Sequence, residues 1–190
     1  MKRAVLVGFG LLCAATALAD VRPPDEDETT RAIRAAASRA AVPAENSPSL
    51  REAPPMPPVG NLDEKMRTIF TAVREGRPEL AMNGFFPREP FLRVKAIANP
   101  ERYWNVLLRA YERDIRELHA SIPNVAQAEF VRFEFSRRRT WQTVRSEANA
   151  LPYWCVRHSR IVYRSGGREQ SFEVRALIHW GREWFVTHLK

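Results

Sequence analysis

The segment "PYWCVRHSRIVYRSGGREQSFEVRALIHWGREWFVTHLK", residues 152–190, decides the fold. It is rich in aromatic and β-branched residues that alternate with polar ones, the pattern of half-buried strands. Gly166-Gly167 and Gly181-Arg182 divide it into three strands joined by hairpin turns. With Gly166-Gly167 as the central pair, Ser165 faces Arg168, Arg164 faces Glu169 and Arg160 faces Glu173. The same register sets Ile161 against Phe172 and Cys155 against Ile178. Opposite charges and apolar side chains therefore meet across the strands, and such pairs stabilise a sheet. A two-residue turn at Gly181-Arg182 sets Ile178 against Phe185, Leu177 against Val186 and Arg175 against His188.

Side chains along a strand alternate between two faces. One face carries Tyr153, Cys155, Ile161, Phe172, Val174, Ala176, Ile178, Trp180, Phe185 and Leu189, with Arg157 as its exception. It is the expected core, and it makes Cys155 a buried, inert thiol. The other face reads as rows across the strands. Trp154, His179 and Trp184 form one, Val156, Leu177 and Val186 the next, and His158, Arg175 and His188 the third. Trp154, Val156, Leu177, Trp184 and Val186 are candidates for a contact surface, either between two copies or under other parts of the chain. The His158–Arg175–His188 row is a candidate anion site, set against a plain solvated row. His179 and His188 stand two rows apart, ~13 Å at strand spacing. That is too far to share a metal ion, so no metal site and no cofactor are expected.

Upstream, "AEFVRFEF" and "RTWQTVR" extend the sheet, and "SRRRTW" between them clusters Arg137, Arg138 and Arg139. That cluster is either a polyanion patch or the charged guard of an edge strand. Before the strands come helices. "NLDEKMRTIFTAVREG" has Asn61 as N-cap, Leu62, Met66, Ile69, Phe70 and Val73 on one face, and Gly76 as its stop. A stretch broken by Gly84, Pro87 and Pro90 gives two short helices. "NPERYWNVLLRAYERDIRELHASIP" starts at Asn99-Pro100 and closes at Pro123. Helices followed by antiparallel strands define an α+β domain over residues 61–190, with four to six strands.

The chain opens with "MKRAVLVGFGLLCAATALAD", whose Lys2, Arg3, apolar run and Ala17-Leu18-Ala19 form a secretory signal peptide with cleavage expected after residue 19. Two alternatives stand beside cleavage: an uncleaved anchor, for which the run is short, and a lipid on Cys13, for which Leu12 is the wrong neighbour. Residues 20–60 are Pro-rich and charged, carry no aromatic residue, and read as a linker. With Cys13 removed, Cys155 stands alone and no disulfide is possible within the chain.

The net charge of +8 is unevenly spread along the chain. Residues 20–60 hold five Arg against seven Asp and Glu, whereas residues 61–190 hold 23 Lys and Arg against 15 Asp and Glu. The basic domain favours an acidic protein, anionic lipid or cell-wall polymer, in a periplasmic or extracellular setting. Nucleic acid is not an expected partner of an exported chain. No nucleophile–base pair, carboxylate pair or glycine-rich phosphate loop is evident.

The order of elements, helices first and then a meander ending in "EWFVTHL", resembles the nuclear-transport-factor-like or ketosteroid-isomerase-like cone roll. The resemblance is architectural and covers most of residues 61–190. It implies a curved sheet around a space that is a pocket in some members and filled in others. No catalytic residue of that superfamily matches a position here. Two functions follow as expectations. The first is a non-catalytic exported module that binds an acidic partner or self-associates. The second is a small enzyme or ligand-binder whose pocket is lined by Tyr103, Tyr111, Trp141 and Arg157. A cavity beside Arg157 discriminates between them.

Overall fold

The long hairpin β3 (Tyr153–Ser165) and β4 (Arg168–Trp180) is the centre of a five-stranded antiparallel sheet in the computed structural model, which describes residues 52–190. The expected signal peptide at residues 1–19, and the expected linker as far as residue 51, lie outside the described residues. β5 (Glu183–His188) pairs with β4. β1 (Glu129–Glu134) and β2 (Arg138–Gln142) both pair with β3, one after the other along the same edge. They act as one edge strand broken at Phe135–Arg137. Opposite the break, His158 has φ 60°, a left-handed value that histidine tolerates better than most residues. Three residues stand against two at this point, and the irregularity bends the sheet.

The β3–β4 register is the one that the charge and apolar matches predict, from Ser165↔Arg168 to Cys155↔Ile178. Ile178↔Phe185 and Leu177↔Val186 also pair as expected. The expected Arg175↔His188 pair does not form. The register shifts between Ala176 and Leu177, and His188 sits opposite Ala176. The extra residue turns His188 to the other face of the sheet, because side-chain direction alternates with every residue counted.

Three α-helices pack against the sheet, α1 (Leu62–Glu75), α2 (Arg88–Val94) and α3 (Pro100–Ser121), with a 3-10 turn at Pro78–Gly84. The predicted apolar face of α1 is buried throughout. Gly76 ends α1 at φ 66°, and its N–H reaches the carbonyls of Ala72 and Val73. Asn99 caps α3 through its side chain, which accepts from the Arg102 amide at 2.9 Å. Asn61 stands at the N-cap of α1 without a side-chain bond. Among the described residues, no helix is long and apolar enough to cross a membrane.

Lys65 of α1 is 7% exposed and reaches the sheet. Its Nζ donates to the Trp184 carbonyl at 2.9 Å and to Glu183 at 2.9 Å, and it lies 3.9 Å from the Phe185 ring centre. Lys65→Met keeps the apolar stem but leaves that carbonyl without its buried donor. The expected cost is about 1–2 kcal/mol, read as a lowered urea midpoint with an unchanged slope.

The row Val156, Leu177 and Val186 is fully buried, and Trp184 is 2% exposed. Of the two ways to cover this face, the chain itself provides the cover. The Phe135 ring stands 5.2 Å from Trp184, and the Trp184 indole N–H donates to the Pro58 carbonyl at 3.0 Å. Met56 also packs against the core. Four of the five candidate interface residues therefore present no contact surface, and Trp154 is half-buried against Trp141 at 5.7 Å.

Candidate functional site

A cavity of about 310 Å³ lies between the helices and the sheet, beside Arg157. Such a volume is at the lower end of what small-molecule sites occupy. Its apolar wall comes from Phe86, Phe91, Ile97 and Leu107 on the helical side and from Ala176 and Ile178 on β4. Its polar groups are Lys95, Tyr103, Glu147, Tyr153, Cys155, Arg157, Thr187 and His188.

Two irregular segments bring these groups together. The first is the stretch after α2. Lys95 forms an isolated bridge with Asn149, the Ala96 amide donates to the Ala148 carbonyl at 2.8 Å, and the Ala150 amide donates to the Val94 carbonyl at 2.6 Å. The second is the loop before β3, where Arg145, Glu147 and Ala148 have φ values of 71°, 51° and 57°. Left-handed backbone at three non-glycine residues is strained, and strain of this kind gathers at functional sites. The contacts to Val94–Ala96 hold the loop in place and set Glu147 at the cavity.

Glu147 pairs with the Arg157 guanidinium. Lys95 Nζ donates to the Asn149 side-chain oxygen at 2.8 Å, to the Glu147 carbonyl at 3.2 Å and to the Tyr153 hydroxyl at 3.4 Å. All three acceptors are neutral, so among the described residues Lys95 has no carboxylate ion pair. Burial draws its pKa below the ordinary lysine range, against an upward pull from Glu147. Burial, then Glu147, raises both Tyr153 and Tyr103 above the usual phenol range. The Cys155 thiol is pushed up to about 11, first by burial. It stays protonated at neutral pH, as an inert core thiol does. His188 is drawn down to about 4, first by burial and then by Arg175, Arg157 and Lys95. Its ring is neutral at pH 7.

The structure redistributes the residues singled out in the sequence. Tyr103 and Arg157 line the cavity. Tyr111 does not: it is 1% exposed, packs 5.1 Å from Phe85, and donates to the Ala81 carbonyl at 3.0 Å. Trp141 does not either, because it pairs with Trp154, whose side chain points away from the Tyr153–Cys155 face. The His158–Arg175–His188 row is not assembled. His188 has moved to the cavity, and His158 Nδ1 lies 2.7 Å from Glu173. Arg137, Arg138 and Arg139 are exposed at the start of β2, and among the described residues none of them has a carboxylate partner. Arg139 stands over the Phe135 ring at 5.4 Å. Among the described residues no group of three His, Cys, Asp or Glu side chains is placed to hold a metal ion.

Lys95 and Glu147 were not among the sequence candidates. Lys95 had a signal, since it is a single charge within the apolar run Val94-Lys95-Ala96-Ile97. Glu147 had none: "RSEANA" reads as an ordinary polar loop. The fold and cavity define an α+β domain with a semi-enclosed, partly cationic site. No family model, no curated protein and no solved structure matches the chain.

Proposed function

We propose that this chain is an exported, non-catalytic module that binds a small molecule in the cavity beside Arg157. The observation that carries the reading is the cavity itself, with aromatic walls and a few converging polar groups. The state of those groups favours binding over chemistry. Cys155 is a protonated thiol, His188 is a neutral ring, and Glu147 is engaged by Arg157. The thiol is thus held in its non-nucleophilic form, and a ring with so low a pKa is a weak base at neutral pH.

Titration with a neutral apolar fluorophore tests this reading. The full chain is expected to enhance its emission saturably. Ala176→Phe, which fills the cavity from β4, is expected to remove the enhancement while far-ultraviolet circular dichroism stays unchanged. Thr187→Leu is a milder filling variant should Ala176→Phe fail to fold. Undiminished binding by a folded, filled variant, or no binding by the parent chain, would overturn the proposal.

A second reading rests on Arg137, Arg138 and Arg139, exposed without carboxylate partners at the edge strand β2. It is an acidic macromolecular partner at that edge, or self-association there. Salt-sensitive binding to an acidic polymer, lost when the three arginines become serine, supports it, and light scattering reads the assembly state.

A further inference from the structure

Resting on the cavity as the binding site, we infer that its ligand is a small amphiphile carrying one carboxylate, seated on Arg157 in the place that the Glu147 carboxylate now holds. Three observations converge on this. The first is charge. Lys95 and Arg157 face one carboxylate, Glu147, and His188 adds no charge at neutral pH, so the cavity carries a surplus of one positive charge. The cation without an anionic partner is Lys95, partly buried in the same cavity, and a second carboxylate brought by a ligand lowers the cost of holding it there.

The second is geometry. The Arg157–Glu147 pair shows that the guanidinium can be reached by a carboxylate from the cavity side. Arg presents several N–H donors in a planar fork, which suits carboxylate recognition. Glu147 comes from the loop whose backbone is left-handed at Arg145, Glu147 and Ala148. The resident carboxylate is thus held on a strained arm, which favours its exchange for one brought by a ligand.

The third is the wall. Phe86, Phe91 and Ile178 give the remainder of the ligand an apolar lining. A small inorganic anion would leave this lining unused, and a neutral alcohol would leave the positive surplus unanswered. A monocarboxylate with a short hydrocarbon tail uses both.

Calorimetric titration of the full chain with octanoate and with octanol separates this inference from the reading beneath it. Octanoate is expected to bind at least tenfold more tightly than octanol at pH 7.5. Arg157→Gln is expected to bring the ratio of the octanoate and octanol affinities close to one. Glu147→Gln, which keeps the hydrogen-bonding shape but not the competing charge, is expected to widen the octanoate-to-octanol affinity ratio several-fold. Equal affinities in the parent chain, or a preference that survives Arg157→Gln, overturn the carboxylate inference and leave the cavity as a binding site. Failure of both probes, together with failure of the fluorophore, overturns both.

Discussion

Replacing Trp184 with alanine is expected to cost about 4 kcal/mol of folding stability, the upper range for truncating a buried aromatic residue. Its side chain is among the largest fully buried ones and lies in a row with Val156, Leu177 and Val186, all at 0% exposure. The ring is also a junction. It meets Phe135 at 5.2 Å, His179 at 5.1 Å and the Pro58 carbonyl through its indole N–H. Those partners come from the β1–β2 break, from β4 and from the segment ahead of α1. Removing the ring unseats all three, and the vacated space can close only by moving β5 against β4, which is itself paired on both sides. Trp184→Phe separates packing from the hydrogen bond. It keeps most of the buried surface and loses the donor to Pro58, for an expected cost of about 1 kcal/mol from that bond and a smaller packing loss. Chemical denaturation of the three chains gives the two numbers. A Trp184→Ala cost below that of Trp184→Phe would show that the ring is not what holds this face closed.

The hairpin β3–β4 was legible because its turn carries two glycines and its two strands carry matched charges. Arg164↔Glu169 and Arg160↔Glu173 fix the register, and one slipped residue would expose Ile161 and Phe172. The helices were legible for similar local reasons, above all Asn99-Pro100 and Gly76. What the sequence did not show was the irregularity at Ala176/Leu177. A bulge depends on how a strand must bend over the helices, and "EWFVTH" carries no glycine or proline to announce it. The consequence was the misplacement of His188, which counted on to the Arg175 row and in fact falls in the Arg157–Ala176 row on the cavity face.

The cover of the second face was left open between another copy and this chain for a related reason. Val156, Leu177 and Val186 alternate with core residues, and alternation puts them on the face away from the helices without saying whether a second copy or this chain covers it. The sheet is curved, and Phe135 and the Pro58 segment close over Trp184 in the neighbouring row. Alternation reports which residues share a face, and burial of that face depends on distant parts of the chain. The cavity was half legible by the same argument. Arg157 stood out as the one charge on an apolar face. Glu147 and Lys95 come to it from loops whose positions are set by long-range backbone bonds, such as Ala150 to Val94.

Between pH 7 and pH 4 the chain is expected to lose roughly 3 kcal/mol of stability through His188 alone. The folded pKa of His188 is about 4, below the ordinary value of 6.5. At pH 7 the ring is neutral in the folded chain and mostly neutral in the unfolded one, so the difference between them is small. As pH falls through 6.5 the unfolded chain takes up a proton there and the folded chain does not. Stability therefore falls across the window from 6.5 down to about 4, and levels off once the folded ring is protonated too. Burial is the larger cause, and the cations Arg175, Arg157 and Lys95 add to it while Glu147 opposes them. Other groups titrate in this range, so the informative quantity is the difference between the parent chain and His188→Gln. Glutamine keeps a polar side chain at the cavity without a titrating ring. Urea midpoints at pH 7.0, 5.5 and 4.5 should show the gap between the two chains shifting steadily in favour of His188→Gln as pH falls. Parallel curves would mean that the ring is solvated in the folded chain, and would remove His188 from the cavity wall.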